Sequence, residues 1–314
     1  MYKKQRFTER SELAEYFNQA YDGQFDIIQL SPGPLECLCE QLILEQIQLY
    51  WTSIYHPVMW SFQPNRADLR MNLVLSQTDE FTLWGNAFDE QTIVIQGNKD
   101  TTEGYQNGVT QHLQLVLSEE LAGSIGLPTD RNFCLRGLAI EQVQRLVAIC
   151  DCAKLQLESF QNSDSDLLEQ LAAYWNQAIA VELTETFSQV LEDPDVTIDE
   201  LAPTKPFATV QELQKLFGTT LHEESIQVAD LAEQIGVSER TVYNAFKDSF
   251  GVGPRQIIEL LRLYEFRKRL LEAEAERQTV TEIAFDLGLF EIGRIAQRYK
   301  KQFGELPNET LKRA

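Results

Sequence analysis

The last ninety residues contain one short pattern twice, and this duplication limits what the chain can fold into more than any other feature. Val228–Gly251 and Val280–Gly304 align. Near the start of each copy, Val, Ala and Gly repeat at an offset of 52 residues. Further along, an aromatic residue, Gly and Pro repeat at an offset of 53 residues. The second copy therefore has one extra residue in its turn. Each copy predicts a helix, a glycine-containing turn and a second helix, which is typical of a helix-turn-helix unit.

In each copy the second helix is predicted to have a buried and an exposed face. Val242, Phe246 and Phe250 recur every four residues and predict the buried face of the first copy. Gly236 suits the turn because glycine adopts positive φ without strain. Arg, Asn and Gln side chains match base edges in the major groove of DNA, and Lys suits phosphates. We therefore expect DNA contacts from Ser238, Arg240, Thr241, Tyr243, Asn244 and Lys247 in the first copy and from Glu291, Arg294, Gln297, Arg298 and Lys301 in the second.

A helix from Pro254 to about Glu276 is predicted to join the two copies, with Pro254 in its first turn. About 22 residues at ~1.5 Å each give a length of ~33 Å. Successive major-groove faces lie about 34–36 Å apart, so one chain is expected to place two recognition helices in adjacent grooves. Four basic residues of this helix are expected to approach the intervening DNA backbone: Arg262, Arg267, Lys268 and Arg269.

The distribution of charge separates this region from the rest of the chain. The whole chain has 27 Lys and Arg against 48 Asp and Glu, a formal net charge of −21. Residues 225–314 contain 14 basic and 14 acidic residues, so residues 1–224 carry the entire excess. A net charge of −21 argues against DNA binding by the chain as a whole, but not by its neutral C-terminal part.

The N-terminal part of the sequence predicts a β-sandwich or small barrel. Together with the helical pattern that follows, this predicts an α+β protein. Short β-branched and aromatic runs between residues 24 and 127 alternate with turn-rich segments at the spacing typical of these folds. From about residue 135 the apolar period becomes helical. The predicted domains are a β-rich sensing domain at 1–134, a helical segment at 135–192, an acidic, proline-containing linker at 193–206 and the DNA-binding domain at 207–314. The apolar stripe of the helical segment is compatible with packing on the β-domain or with a dimer interface.

Residues 207–314 resemble the DNA-binding module of AraC/XylS-type transcriptional regulators, and the stretch from Gly293 to Leu311 is similar to the branch that includes the ethanolamine-operon regulator. The matching motifs are Gly236-Val-Ser-Glu-Arg-Thr-Val, Phe250-Gly-Val-Gly-Pro254, Leu261-Arg-Leu and Tyr299-Lys…Phe303-Gly-Glu-Leu-Pro307.

The resemblance implies seven helices, with two helix-turn-helix units on a linker helix. It also implies a transcription factor, usually an activator, that binds double-stranded promoter DNA and works with RNA polymerase. An N-terminal sensing and dimerisation domain, often cupin-like, implies a homodimer and a possible small-molecule effector. The chain departs from the common pattern at Asn244, where many members have a basic residue, and at Leu289 and Ile295, where aromatic residues are common.

Two other classes of function are alternatives to DNA-binding regulation by an unknown effector. A metal-dependent cupin enzyme needs clustered histidines, and this chain has only His56, His112 and His222. No catalytic residue, metal or cofactor is therefore expected. A redox- or metal-responsive regulator would use the cysteines, among which Cys37 and Cys39 share a strand face and Cys150 and Cys152 form a close pair.

Further expectations concern ligand and location. Aromatic residues of the β-domain would form either core or the wall of an effector pocket: Trp51, Trp60, Phe62 and Trp84. The sequence shows no membrane-length apolar run and no apolar stretch after its basic start. Five cysteines are too few for a disulfide framework in a chain of this length. A cytoplasmic location without membrane contact is expected.

Overall fold

The computed structural model of the chain describes residues 1–66, 68–97, 100–220, 227–273 and 278–313, the side chains of 217–220 excepted. A β-rich N-terminal region is followed by a helical C-terminal region, in agreement with the α+β expectation. The strands are β1 (Tyr2–Phe7), β2 (Gly23–Gln29), β3 (Cys37–Ile43), β4 (Ile47–Ile54), β5 (Val58–Pro64), β6 (Leu69–Gln77), β7 (Phe81–Leu83), β8 (Asn86–Phe88), β9 (Ile93–Gln96), β10 (Thr102–Gln106), β11 (Thr110–Leu117), β12 (Asn132–Arg136) and β13 (Thr197–Glu200).

Four helices accompany the strands and seven follow them in the described part of the chain. The helices are α1 (Arg10–Tyr21), α2 (Glu119–Ile125), α3 (Ile140–Ser159), α4 (Ser165–Glu192), α5 (Lys205–Thr220), α6 (Val228–Gln234), α7 (Glu239–Phe250), α8 (Pro254–Glu272), α9 (Val280–Asp286), α10 (Ile292–Phe303) and α11 (Pro307–Leu311). The seven helices from α5 onward equal the number implied by the family resemblance.

The strands form two antiparallel sheets. The larger has the order β1-β3-β4-β11-β6-β9-β12-β13, and the smaller has the order β2-β5-β10-β7-β8. In the larger sheet β1 and β13 are the two ends of the order and do not pair with each other. Because this sheet is open within the described residues, the β-rich architecture is present but a closed cupin-like barrel is not confirmed.

Helices α3 and α4 pack on the larger sheet. Leu146 and Cys150 of α3 and Leu183 and Phe187 of α4 are fully buried in one core with the sheet residue Leu49. These residues belong to the helical stripe predicted from sequence, and packing on the β-domain is therefore its observed role. Burial of a Leu or Phe side chain contributes about 1.5–3 kcal/mol, so the stripe stabilises this layer.

The C-terminal helices pack on the smaller sheet rather than forming a separate body. Tyr105 of β10 contacts Phe250 of α7 in an edge-on arrangement with ring centroids 5.8 Å apart. Phe207 of α5 lies 6.1 Å from the same phenylalanine ring. Trp84, Phe207 and Phe246 are buried in this shared core. A third core joins the end of α8 to α9, α10 and α11.

The segment predicted as a linker is partly a strand. Thr197–Glu200 form β13, which pairs antiparallel with β12 and extends the larger sheet. All four residues are exposed, so backbone hydrogen bonds rather than apolar burial hold this edge strand in place. Because this acidic strand has no buried apolar face, the sequence pattern did not predict it. The predicted domain boundaries themselves remain predictions.

Candidate nucleic-acid interface

The first helix-turn-helix unit consists of α6, a four-residue turn and α7. Gly236 has φ +71°, which is the conformation that favours glycine and lets the chain leave α6. Ser238 is the N-cap of α7, where its Oγ accepts a 3.1 Å hydrogen bond from the Thr241 amide. This cap satisfies one of the amides that the first helical turn leaves without a partner and fixes where the second helix begins.

Helix α7 separates its residues cleanly between two faces. Val242, Phe246 and Phe250 are buried, as their spacing predicts. The exposed residues on the other side are Arg240, Thr241, Asn244 and Lys247, and Tyr243 is half-buried. Lys247 Nζ donates a 3.0 Å hydrogen bond to the carbonyl oxygen of Gly251 at the end of the helix. The predicted contact residues of the first copy thus share one accessible helix.

The second unit repeats this construction with α9, a turn and α10. Thr279 caps α9 in a reciprocal arrangement, because its amide donates to Glu282 Oε2 at 2.8 Å while the Glu282 amide donates to Thr279 Oγ1 at 3.3 Å. Gly288 takes the place of Gly236, with φ +66°. Ile295 and Tyr299 of α10 are buried in the third core.

The exposed side of α10 is more basic than that of α7. Glu291, Arg294, Gln297 and Lys301 are exposed. Arg294 Nη1 lies 3.1 Å from Glu291 Oε2. Arg298, which was predicted to be fully part of this stripe, is only half-exposed because its Nη1 lies 3.1 Å from Glu259 Oε1 of α8. Binding of a phosphate by Arg298 would have to compete with this carboxylate.

The helix that joins the two units is shorter than predicted. α8 ends at Glu272, and Ala273 already has the extended backbone with ψ 146°. Its 19 residues give a length of about 28 Å. The positions up to Glu276 in the predicted span lie among residues 274–277, outside the described residues.

Of the four basic residues of α8 that were expected to approach the DNA backbone, one is buried in the structure. Arg267 is only 9% exposed, with Nη1 2.6 Å from Glu305 Oε1 and Nη2 3.0 Å from Glu9 Oε2. Its guanidinium also lies 4.7 Å from the centroid of the Phe303 ring. Arg269 pairs with Glu265 one turn earlier, Arg262 is half-buried, and Lys268 is exposed. The expectation is wrong for Arg267, because the position faces the β-domain.

Further hydrogen bonds fix the second unit against the β-domain. The amide of Gln29 donates to Tyr264 Oη at 3.1 Å, and Gln302 Nε2 donates to the Gln29 carbonyl oxygen at 3.1 Å. The Gly33 amide donates to the Gln302 carbonyl oxygen at 3.0 Å. These contacts use the inner side of α8 and α10. The exposed stripes of α7 and α10 therefore remain accessible while both units are held on one body.

The β-domain contains a small cavity of about 80 Å³. Of the four aromatic residues proposed as core or pocket wall, Trp60 and Phe62 line this cavity, whereas Trp51 and Trp84 are buried in the cores. Polar residues also line the cavity: Thr52, Arg70, Asn72, Gln96, Thr102, His112 and Gln114.

Two titratable groups of this wall are perturbed by burial. Burial lowers the pKa of Arg70 to about 10, which still leaves a cation at neutral pH. The Arg70 guanidinium lies 5.1 Å from the centroid of the Phe62 ring. Burial also lowers the pKa of His112 to about 4, so its imidazole is neutral near pH 7.

A larger cleft of about 470 Å³ lies between α1 and α8. Its wall combines Arg10, Glu15 and Asn18 of α1 with Tyr264 and Lys268 of α8. Typical small-molecule sites occupy about 300–1,000 Å³, a range that includes this cleft and excludes the smaller cavity in its present form.

The cysteines are placed as inert core residues with one exception. Cys37 and Cys39 lie on one buried face of β3 as predicted, with their Sγ atoms 3.7 Å apart. The hydrogen bond to Cys39 and burial raise the pKa of the Cys37 thiol, and burial raises that of Cys150. Thiols with raised pKa values are poor nucleophiles at neutral pH. Cys152 is exposed.

The histidines also have structural surroundings. His56 Nδ1 lies 3.0 Å from Ser31 Oγ, and His112 Nε2 lies 3.4 Å from Gln106 Oε1. His222 lies outside the described residues. Across residues 1–66, 68–97, 100–220, 227–273 and 278–313, no three His, Cys, Asp or Glu side chains come together in a group able to hold a metal ion. None of the helices in these ranges has the length and apolar character needed to cross a membrane.

Sequence patterning missed two exposed residues of the second unit, Phe285 of α9 and Phe290 of the turn. They are 48% and 52% exposed, and their ring centroids lie 5.5 Å apart. The available signal was the change of repeat offset from 52 to 53, which places an extra residue in this turn.

Comparison with known proteins gives a consistent assignment for the C-terminal part. Residues 231–313 match a family model described as a helix-turn-helix domain. Over 91 residues the chain is 40% identical to the XylDLEGF operon transcriptional activator 3 of Pseudomonas putida, a match that covers 29% of this chain and 28% of that protein. Over 90 residues it is 37% identical to the probable thc operon regulatory protein of Rhodococcus erythropolis, covering 29% and 27%.

Solved structures of similar proteins include the AraC-like transcriptional activator CuxR. That match covers 91% of this chain and all of the other, at 11% identity and a TM-score of 0.40. A probable AraC family transcriptional regulator from Rhodopseudomonas palustris matches 34% of this chain and 97% of its own length, at 30% identity and a TM-score of 0.31. The chain thus matches each of these two curated relatives over little more than a quarter of that protein's length.

Proposed function

We propose that the chain is a sequence-specific DNA-binding transcriptional regulator of the AraC/XylS type, a proposal supported by the similarity of its C-terminal module to a helix-turn-helix family and to operon activators. One observation carries the proposal. Two units of the same construction each bury one face of their second helix and expose the polar face opposite. A helix of this kind fits the major groove and contacts base edges from its N-terminal turns.

Each unit contributes its own set of contacts to the proposed interface. In the first, Arg240 and Asn244 are the side chains able to form paired hydrogen bonds to guanine or adenine, and Lys247 suits a phosphate. In the second, Arg294 and Gln297 take the base-contacting role. Ser238, Thr241, Tyr243, Glu291, Arg298 and Lys301 complete the proposed set.

Charge supports one orientation of the chain on the duplex. Residues 1–224 carry the whole net charge of −21, so the β-domain is repelled by the phosphates. Only the locally basic faces of α7 and α10 are attracted. Binding is therefore expected to be weak on nonspecific DNA and to weaken steeply with added salt.

Selection of bound duplexes from a random pool, followed by mapping of bound sites in the genome, tests the proposal. An enriched motif with two halves about one helical turn apart is the expected result. The double variant Asn244→Ala with Gln297→Ala should lose the motif while keeping a native circular dichroism spectrum. Arg145→Ala, at an exposed basic residue of α3, is the matched control. Absence of any enriched sequence for the native chain would refute the function.

Regulation, assembly and location are further parts of the proposal. We expect an activator that recruits RNA polymerase in the cytoplasm, as the names of the curated relatives describe activators. The outward sides of α3 and α4 expose large apolar residues, including Leu155 at 59% and Tyr174 at 61%, and this supports a homodimer through the helical segment. Sedimentation equilibrium tests this: the native chain should have the mass of a dimer, and Tyr174→Glu should have the mass of a monomer. A native chain with the mass of a monomer would refute the homodimer.

An effector is proposed to act at the β-domain. The cleft between α1 and α8 is large enough for a small molecule, and it joins the β-domain to the helix that carries both recognition units. A compound screen by thermal shift tests this idea, with Lys268→Ala as the variant that should lose the response. A compound that stabilises the native chain and this variant equally would place the effector elsewhere.

A further inference from the structure

The second unit has one residue more than the first, and the structure identifies it as Phe290. Val237 and Leu289 are equivalent at an offset of 52, because each amide donates a 2.9 Å hydrogen bond to the carbonyl oxygen five residues earlier. The N-caps Ser238 and Glu291 are equivalent at an offset of 53. The inserted residue therefore lies between Leu289 and Glu291, immediately before the second recognition helix.

The insertion creates an exposed aromatic pair that the first unit lacks. Phe290 is 52% exposed and packs against Phe285, whose ring is 48% exposed. At an offset of 52 the counterpart of Phe285 in the first unit is the exposed residue Glu233. Neither phenylalanine belongs to the core of its unit, so the pair is free to contact a partner outside the chain.

The first turn of α10 is also less polar than that of α7. At an offset of 53, Ile292 and Gly293 replace Glu239 and Arg240. A Cβ atom on Gly293 would meet nothing within 4 Å, and its φ does not lie in the region that favours glycine, so neither space nor backbone requires this residue. The start of α10 thus lacks the arginine of the first unit and has an open surface beside Phe290.

We propose that Phe290, supported by Phe285, recognises thymine through its C5-methyl group in the major groove. This inference rests on the proposed function and specifies what the second unit recognises. Residues at the N-terminal end of a recognition helix contact base edges, and the thymine methyl is the apolar group that the major groove presents. At the depth where the first unit has Arg240, the second unit makes this apolar contact, which adds to the base contacts of Arg294 and Gln297.

The test replaces thymine by deoxyuridine, one position at a time, in a duplex selected by the native chain. This change removes only the methyl group. Affinity should fall about fourfold at one or two positions in one half of the site, since burying a group of this size contributes about 0.8 kcal/mol. Phe290→Ala should bind the thymine and deoxyuridine duplexes equally. Phe160→Ala, an exposed phenylalanine after α3, is the matched control and should keep the full ratio.

Three results would overturn the inference, and each differs from failure of the proposed function. The thymine-to-deoxyuridine ratio of Phe290→Ala could equal that of the native chain. The variant could instead bind each duplex more weakly than the native chain does, by the same factor for both, which would indicate contact with the sugar-phosphate backbone. It could also bind both duplexes normally but fail to activate transcription in a purified system, which would assign the pair to a protein partner. A native chain that selects no duplex at all would refute DNA recognition itself.

Discussion

Titration of His112 gives a quantitative test of the β-domain. Burial lowers the pKa of this imidazole to about 4 in the folded chain, and an unfolded histidine has a pKa of about 6.5. Between these values the unfolded chain binds the proton more readily than the folded chain. The stability contribution of neutral His112 is therefore complete above about pH 6.5 and is lost as the pH falls through this window.

The expected magnitude follows from the difference between the two pKa values. A difference of about 2.5 units at about 1.36 kcal/mol each corresponds to a loss of about 3 kcal/mol below pH 4. At pH 5 the same two values give a loss of about 2 kcal/mol relative to pH 7. A loss of that size is a large fraction of the 5–15 kcal/mol typical of a folded domain.

Urea unfolding at pH 7 and pH 5, followed by tryptophan fluorescence, measures this contribution. All four tryptophans lie in the β-domain or α4, so the signal reports the region that contains His112. His112→Gln retains a polar group near Gln106 but cannot gain a proton, and His112→Phe serves if the first variant is unstable. Carboxylates titrate alike in the native chain and in the variants. Between pH 7 and pH 5 the free energy of unfolding of the native chain should therefore fall by about 2 kcal/mol more than that of either variant. Equal pH dependence in all three proteins would show that His112 does not stay neutral in the folded state.

Four other expectations are open to direct measurement. Phe246→Ala should lower the free energy of unfolding by about 3–5 kcal/mol, because a fully buried aromatic ring is removed, and a native thermal midpoint would place the ring outside the core. Arg294→Ala should weaken binding to a mapped site while the circular dichroism spectrum stays native; unchanged affinity would show that the recognition face is wrongly assigned. Lys301→Gln should reduce the slope of log affinity against log salt by about 0.9, and an unaltered slope would exclude a phosphate contact. Arg267→Met should destabilise the chain by a few kcal/mol, since it leaves the carboxylates of Glu305 and Glu9 without their buried cation; stability equal to that of the native chain would remove this ion pair from the docking of the module.

The two helix-turn-helix units were largely predictable from sequence because their signals are local. Apolar residues four apart must share one helix face, so Val242, Phe246 and Phe250 identified the buried side of α7 without a structure. The exposed stripe followed as its complement. The strand runs predicted between residues 24 and 127 coincide with observed strands for the same reason, since alternation and β-branched content are read within a few residues.

Local patterning failed where a residue's surroundings come from distant parts of the chain. Arg267 has the same sequence context as a solvated basic residue, yet Glu9, 258 positions away, and Glu305 enclose it. Arg298 is withdrawn from the stripe by Glu259 on another helix. Burial of a polar side chain depends on which element packs over it, and periodicity within one helix contains no such information.

The sequence by itself determined that two helix-turn-helix units are present, which face of each is apolar and where the acidic charge lies. Hydrogen-bond geometry and side-chain periodicity within a helix require only neighbours three or four residues apart. Only the tertiary structure decided that α3 and α4 pack on an open sheet, that the second unit is docked through Gln29 and Gln302, and that Phe290 is the exposed insertion. These features depend on contacts between residues far apart in the chain, and such contacts exist only after the sheets and helices have assembled.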